Sequence, residues 1–375
     1  MGTPYPLHTE RLVIRLMRSD DAAAFAAYRN DPEVARFQAW DLPYTVADAR
    51  ALIADQDGRD DLLPGSWTQL AVEHDGRVIG DVCAGLDDHG GVAEIGFTLA
   101  SEHQGHGYAT EAARALVTDL VERLGVVRVR ADLDPANVAS MRVLEAIGLD
   151  FEATTRQSYR WRGAWADNTA YGATADEWRA WQARPTSPPD DVRLVALGPD
   201  NVSAYAALRT HHSQESFVAT VRKSFQDALF PEIVNGLPAI PRLFGVEADG
   251  EPVAFMMYAD TNPAFPEPYL WRLLVDRRHQ RRGIGRRVLD LLCDLLREQG
   301  HRTLTISWQE DRAAPSPSTA ATGSSAPGAR STARSRAASS SERAAPPYAR
   351  GLPVVRPTAA APWRRTPNWC AGVGG

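Results

Sequence analysis

One short pattern occurs twice in this chain, and it constrains the fold more than any other feature. Gln104-Gly105-His106-Gly107-Tyr108-Ala109 follows an apolar, strand-like run at 93–99. Gln280-Arg281-Arg282-Gly283-Ile284-Gly285 follows a second such run at 269–275, 176 positions later. Beyond the first turn come Ala112, Leu116, Leu120 and Leu124, and beyond the second Val288, Leu292 and Leu296, all at helical spacing. Each copy therefore reads as strand, glycine turn and amphipathic helix. Repetition at this distance predicts two α/β units in tandem.

The turn has a physical use. The first turn of a helix leaves unpaired N–H groups, and the macrodipole adds about half a positive charge there, so a phosphate binds such an end readily. Glycines at 105, 107, 283 and 285 remove the Cβ atoms that would keep a diphosphate from the backbone, and they permit positive φ. Neither turn has the Lys-Ser/Thr pair of a P-loop, nor the third glycine and downstream acid of a dinucleotide fingerprint. Nucleoside triphosphates and NAD lose ground accordingly.

Gln/Arg-x-x-Gly-x-Gly/Ala between a strand and a long helix resembles the acyl-CoA signature of the GNAT N-acetyltransferases. Gln104, Gly107 and Ala109 match it in one copy, and Gln280, Gly283 and Gly285 in the other. The segment from Asp134-Pro135-Ala136-Asn137 to Ile147-Gly148, with His8-Thr9-Glu10-Arg11-Leu12 near the start, resembles the branch that modifies N-terminal amines of ribosomal proteins. That resemblance covers residues 5–181. It implies an α/β (α+β) chain of two tandem acyl-CoA N-acyltransferase folds, each a mixed, mostly antiparallel sheet flanked by helices, the second incomplete. The implied cofactor is acetyl-CoA and the implied partner an amine acceptor, either a peptide N-terminus or a small amine.

The resemblance also implies a cofactor-binding set. In the first copy it comprises backbone groups at Phe97, Thr98 and Leu99, the turn Gln104, Gly105, His106, Gly107, Tyr108 and Ala109, and Asn137. In the second it comprises Leu274, Val275, Gln280, Arg281, Arg282, Gly283, Ile284 and Gly285. Within these turns, a solvated loop role for His106 and a packing role for Tyr108 compete with ligand contact.

Acetyl transfer from a thioester to an amine needs a neutral nucleophile and a proton for the leaving thiolate. Deprotonation at pH 7 costs about 1 kcal/mol for an α-amine and about 4.6 kcal/mol for a lysine. A peptide N-terminus thus needs only one modest base. Glu94 is the candidate, because strand alternation puts it with Gly96 and Thr98 on one face and Ile95, Phe97 and Leu99 on the other. Ser140, in the first turn after Asp134-Pro135, is the candidate proton donor. An exposed strand carboxylate and an ordinary first-turn serine are the plain alternatives for the two. In the resembling family Asn137 and Ser140 line the cofactor cleft.

Residues 1–181 form the first expected unit. Its elements are a strand at 11–16, helices at 22–28 and 46–55, a hairpin at 67–83, the motif, a strand at 126–131, a helix at 137–147 capped by Gly148, and a closing strand pair. Residues 182–191 are a proline-rich linker. The order restarts in a second unit, 192–311, with hairpin strands at 243–247 and 253–258. Acceptor-selecting loops fall at 37–43 and 161–167, where Tyr159, Trp161 and Trp165 could wall a pocket.

Residues 312–375 break the pattern, being rich in Ala, Ser, Pro and Arg. Two readings stand. One is a disordered tail, whose few apolar groups cannot offset chain ordering at about 1–2 kcal/mol per residue. The other is a shifted reading frame, in which 318–325 decodes as Phe-Tyr-Arg-Arg-His-Gly-Phe-Val, the helix-end pattern of the resembling family. Nine arginines against Glu342 give the tail +8, so residues 1–311 carry −14 of the formal −6. The acidic body points to cationic substrates. Arginine contacts from the tail to nucleic acid are a weaker reading, with sparse aromatics and no recognisable fold.

Cys83, Cys293 and Cys370 are too scattered for a disulfide framework or metal cluster, so Cys83 and Cys293 read as small buried apolar residues. There is no basic and apolar leader and no run long enough to cross a bilayer, which predicts a soluble cytoplasmic protein. A non-catalytic acyl-CoA-binding module and a polyamine or antibiotic acetyltransferase remain the alternatives to the peptide enzyme.

Overall fold

In the computed structural model residues 4–307 are described. Both readings of 312–375, and Cys370, lie outside the described residues. β1 (Leu7–His8) and β2 (Val13–Leu16) open a sheet, followed by α1 (Ala22–Arg29), the short α2 (Pro32–Ala35) and α3 (Val46–Ala54). β3 (Trp67–His74), β4 (Arg77–Leu86) and β5 (Val92–Leu99) form an antiparallel meander. α4 (Tyr108–Thr118) then crosses to β6 (Arg128–Leu133), and α5 (Val138–Ile147), β7 (Asp150–Trp161), β8 (Ala164–Thr174) and α6 (Ala175–Gln182) follow. The eight strands lie in the order β1-β2-β3-β4-β5-β6-β8-β7, and β5 with β6 is the parallel pair.

The second sheet is smaller. Its elements are β9 (Val192–Ala196), α7 (Val202–Ala206), α8 (Val221–Leu229), a two-residue hairpin of β10 (Ile233–Val234) and β11 (Leu237–Pro238), then β12 (Ile240–Ala248), β13 (Glu251–Asp260), β14 (Tyr269–Val275), α9 (Ile284–Glu298) and β15 (Thr305–Ile306). Five strands lie in the order β15-β14-β13-β12-β9, again with one parallel pair, β14 with β15. Counterparts of α5, β7 and β8 do not occur in this half among the described residues. The expected mixed, mostly antiparallel sheets flanked by helices are present in both halves, and the second half is partial.

Local signals account for most helix ends. Thr45 and Thr174 form capping boxes at the starts of α3 and α6, and Asn137 caps α5 by accepting from Ser140 N at 3.1 Å. Gly148 ends α5 in the left-handed region at φ +103°, where the indole of Trp181 lies 2.4 Å from the position a Cβ would take. A larger residue cannot stand there without displacing α6. The sequence reading did not anticipate α6 or α2.

Each sheet is covered on both faces. In the first unit α4 and α5 bury Leu116, Val117, Leu144 and Ile147 against Ile95 and Val129, while α1 and α3 bury Phe25, Ala49 and Ile53 on the opposite face. In the second, Val288, Leu292 and Leu296 of α9 pack on one face, and Tyr205 and Val221 on the other. At about 25 cal/mol per Å² of buried apolar area, these layers are what hold the glycine turns in place.

A candidate acyl-carrier cleft

The site begins where two strands part. β5 pairs with β6 through Val92↔Arg128, Ala93↔Val129 and Glu94↔Arg130, and beyond that rung Ile95–Leu99 keep only β4 as a partner. β6 continues along β8 instead. The result is a wedge whose apex is the Glu94–Arg130 rung. Ala100 N donates to Ile79 O, and bonded residues alternate along an antiparallel pair, so Thr98 and Gly96 turn their backbone groups toward β4. Phe97 and Leu99 turn theirs into the wedge. Of the expected triplet, Thr98 therefore cannot pair with a ligand arm lying there, because its amide is committed to β4 and its side chain is buried.

At the open end of the wedge lies the first glycine turn. Gly105 and Gly107 have φ +76° and +81°, and Gly107 begins α4 without any side-chain cap. The earliest bond of the helix is Glu111 N to Gly107 O at 3.0 Å, so the N–H groups of the preceding turn stay unpaired within the helix. A Cβ on Gly105 would meet nothing within 4 Å. Open space, free N–H groups and left-handed backbone together fit the diphosphate of an acyl-CoA. Gln104 has a different part, since its Nε2 donates to Leu99 O at 3.0 Å and ties the turn to the end of β5.

A clamp that sequence reasoning missed fixes this turn. Glu111 accepts from Thr9 Oγ1 at 2.6 Å, from Arg11 N at 2.9 Å and from Arg11 Nε at 2.7 Å. Burial pushes the Glu111 carboxyl up, but the hydrogen bonds from Thr9 and Arg11 prevail and hold it below the usual range. Arg11 also donates to His106 O at 3.0 Å and lies 4.6 Å above the Tyr108 ring. Tyr108 is a packing residue: its ring stacks with His106 and its hydroxyl meets His74 Nε2 at 3.1 Å. The signal was the Thr9-Glu10-Arg11 run, whose partner lies 100 residues away.

Glu94 stands at the apex, half-buried, its Oε2 2.7 Å from the Arg130 guanidinium. Its cross-strand neighbour is Gly85, on the face that also carries Asp81 and Cys83 and looks toward α1. Deeper on that face Asp81 is 1% exposed, accepts from Tyr28 OH at 2.6 Å and lies 3.8 Å from Arg29, and burial raises its pKa. Arg29 is in turn enclosed by Phe25, Trp40 and Tyr44. Burial pushes the Cys83 thiol up to about 12, so it stays protonated, half-buried rather than fully enclosed.

On the opposite side of the wedge β6 runs through an Asx turn, Ala136 N to Asp134 Oδ1 at 2.7 Å, into α5. Asn137 does the capping there, so Ser140 is not needed for it. The segments 37–43 and 161–167, expected to select the acceptor, meet where Trp161 Nε1 donates to Gln38 O at 3.3 Å, and Arg162 reaches Ala35 O at 3.0 Å. Trp165 points to solvent, 59% exposed, and does not join Trp161 in a wall.

The second turn copies the backbone but not the chemistry. Gly283 has φ +78° and begins α9 uncapped, Gln280 donates to Val275 O at 3.2 Å, and a Cβ on Gly283 would meet nothing within 4 Å. Gly285, however, is helical, and the left-handed position matching Gly105 is taken by Arg281 at φ +63°. Arg282 is 5% exposed and occupied by Ser187 O at 2.7 Å and His279 Nδ1 at 2.9 Å, so it faces no ligand. Ile284 is in the core. Asp276 N bonds Val253 O, so Leu274 turns toward β13 while Val275 faces the parting strands. Counted back from Gln280 the position matching Glu94 is Leu270, but a bulge between Arg272 and Leu270 turns it into the core under α9, and by register Tyr269, opposite Ala259, takes the place that Glu94 has opposite Gly85.

Among the described residues no cluster of His, Cys, Asp and Glu could hold a metal, and no helix is long and apolar enough to cross a membrane. Residues 11–150 match the profile of the acetyltransferase (GNAT) domain, and residues 206–315 that of the acetyltransferase (GNAT) family. The chain is 32% identical over 165 residues to the N-acetyltransferase p20 of Bacillus licheniformis, which covers 43% of this chain and 91% of that protein. It is 27% identical over 172 residues to YdaF of Bacillus subtilis, named as a candidate ribosomal N-acetyltransferase, covering 45% of this chain and 94% of that one. A solved structure, Mycobacterium smegmatis RimJ with a CoA disulfide, aligns at 24% identity and a TM-score of 0.41 over 44% of this chain and 83% of its own.

Proposed function

The chain belongs to the GNAT acetyltransferases, and from that membership we propose that its first unit acetylates a primary amine, foremost a peptide N-terminus, with acetyl-CoA as donor. The observation that carries the reading is the wedge between β5 and β6, with an uncapped glycine turn at its mouth and a carboxylate at its apex. Bound there, acetyl-CoA would supply an activated thioester carbonyl. N–H groups of the turn 105–109 hold the diphosphate, and Phe97 with the Leu99 N–H lines the pantetheine path, joined by Asn137. Glu94 takes the ammonium proton on a carboxylate oxygen, directly or through water, while Arg130 fixes the direction of that carboxylate. Ser140 Oγ is the proton donor at the sulfur side.

One carboxylate favours an acceptor that loses its proton cheaply, about 1 kcal/mol for an α-amine against about 4.6 kcal/mol for lysine. The name of YdaF supports the same choice. In this reading the units divide at 1–181, 182–191 and 192–311, and the first alone is catalytic. Thiol release from acetyl-CoA, measured with free peptides, N-terminally blocked lysine peptides and spermidine, tests it. Turnover confined to free N-termini is expected; turnover with spermidine alone, or with no amine, overturns it.

A further inference from the structure

Glu145 lies on α5, the helix that carries Asn137 and Ser140, and it is 5% exposed. A carboxylate so enclosed must have its lone pairs met, because an unpartnered buried charge is costly. The first unit supplies one donor, Tyr171 OH at 3.1 Å to Oε1. Two more come from the second unit: Ser213 N at 2.9 Å to Oε1 and Ser213 Oγ at 2.6 Å to Oε2. We propose that Glu145 is a positioning residue for the acetyltransferase site, and that the second unit, through Ser213, completes the seat of α5 and so sets Ser140 and Asn137 at the cleft.

The surroundings make this seat rigid. Phe151, just beyond α5, stacks on His212 with ring centroids 3.7 Å apart, and Asp150 takes Arg277 at 2.8 Å. Trp181, which closes the end of α5 over Gly148, is flanked by His211 and Arg277 of the second unit. The same short turn, 212–214, carries Gln214, whose amide exchanges two hydrogen bonds with Gln280, at 2.8 and 3.2 Å. The glutamine of the second glycine turn is thereby anchored to the element that holds α5. A half with leucine at 270 uses its turn as a brace.

The inference rests on the proposed acetyltransferase reading for its kinetic arm and stands apart from it in its structural arm. In the full chain, Ser213→Ala removes the hydroxyl donor and keeps the amide, Ser213→Thr restores the hydroxyl, and Glu145→Gln keeps the shape and removes the charge. Ser213→Ala is expected to lower kcat about tenfold while CoA affinity by calorimetry changes less than about twofold, with Ser213→Thr returning most of the loss. Hydrogen exchange at 138–141 should quicken in Ser213→Ala and in Glu145→Gln while that of α4 stays unchanged. Unchanged exchange at 138–141 overturns the proposal whether or not any amine is acetylated. A general rise in exchange across both units, or a loss that threonine does not restore, overturns it too. If the parent enzyme turns over no amine, the acetyltransferase reading falls while the exchange result still decides this one.

Discussion

The two glycine turns are nearly the same object in backbone and very different objects in chemistry. Both start a long helix from a left-handed glycine without a side-chain cap, and both are tied to the preceding strand by a glutamine amide, Gln104 to Leu99 O and Gln280 to Val275 O. Yet the first stands beside a wedge with Glu94 at its apex, and the second beside Leu270, with one of its arginines turned inward to the linker carbonyl of Ser187. An anion-binding turn is a property of local backbone. The proposed catalysis needs groups delivered by strands and helices far away in sequence, and among the described residues the first half has a carboxylate at the apex where the second has Leu270.

The sharpest way to break this contrast is to remove the apex carboxylate. Glu94→Gln should lower kcat/KM about 100-fold or more, the usual loss for a general base, whereas Leu270→Val should leave acetyl transfer within about twofold. A neutral result at 94 with a large loss at 270 would reverse the assignment of the active half.

The seam between the halves supplies a comparable effect on stability. Burial first, and then the neighbouring Arg277 charge, depress the pKa of His211 from 6.5 to about 4. Above pH 6.5 it is neutral folded or unfolded and contributes nothing. Between 6.5 and 4 only the unfolded chain binds the proton, so stability falls as pH drops, by about 3 kcal/mol in all before levelling off. Melting temperatures across this window should show the fall, and His211→Phe should flatten it; an unaltered slope in that variant would place the titrating group elsewhere.

Smaller, and directed at the turns themselves, is a matched pair of alanine replacements. Both glycines are left-handed, but a Cβ at Gly107 meets the Arg11 guanidinium at 3.4 Å, whereas one at Gly283 has open space. Gly107→Ala should raise the KM for acetyl-CoA about tenfold and Gly283→Ala should not change it, as steady-state kinetics would reveal. The smallest expected effect belongs to the clamp: Arg11→Met should weaken acetyl-CoA binding about threefold by loosening the turn, read by calorimetry. Equal losses at 107 and 283 would mean that both turns serve the measured reaction.

Much of the scaffold was legible in the sequence because its signals are local. Helical spacing marked α4, α5 and α9, the Asn137 cap and the Gly148 stop were readable within a few residues, and the glycine turns announced themselves by repetition. What escaped were pairings and parities. Nothing near Arg11 names Glu111, and nothing near Glu145 names Ser213, because each partner is fixed by packing across scores of residues. Which of Phe97, Thr98 and Leu99 faces the wedge depends on the β4 register, a single Ala100–Ile79 bond deciding it. The left-handed position fell to Arg281 rather than Gly285 because the second helix begins at Ile284, which leaves Gly285 already inside it.

Glu145 and Ser213 are 68 residues apart. At ribosomal elongation speeds that distance is roughly 3–14 s; once Thr174 completes the last strand of its sheet, the nascent first half still lacks two of the three donors for one carboxylate. Its maturation is therefore timed by translation of the downstream half, and a premature stop between 182 and 213 would release an N-terminal fragment whose buried acid keeps Tyr171 as its donor and lacks both from Ser213, on the helix beside its cleft.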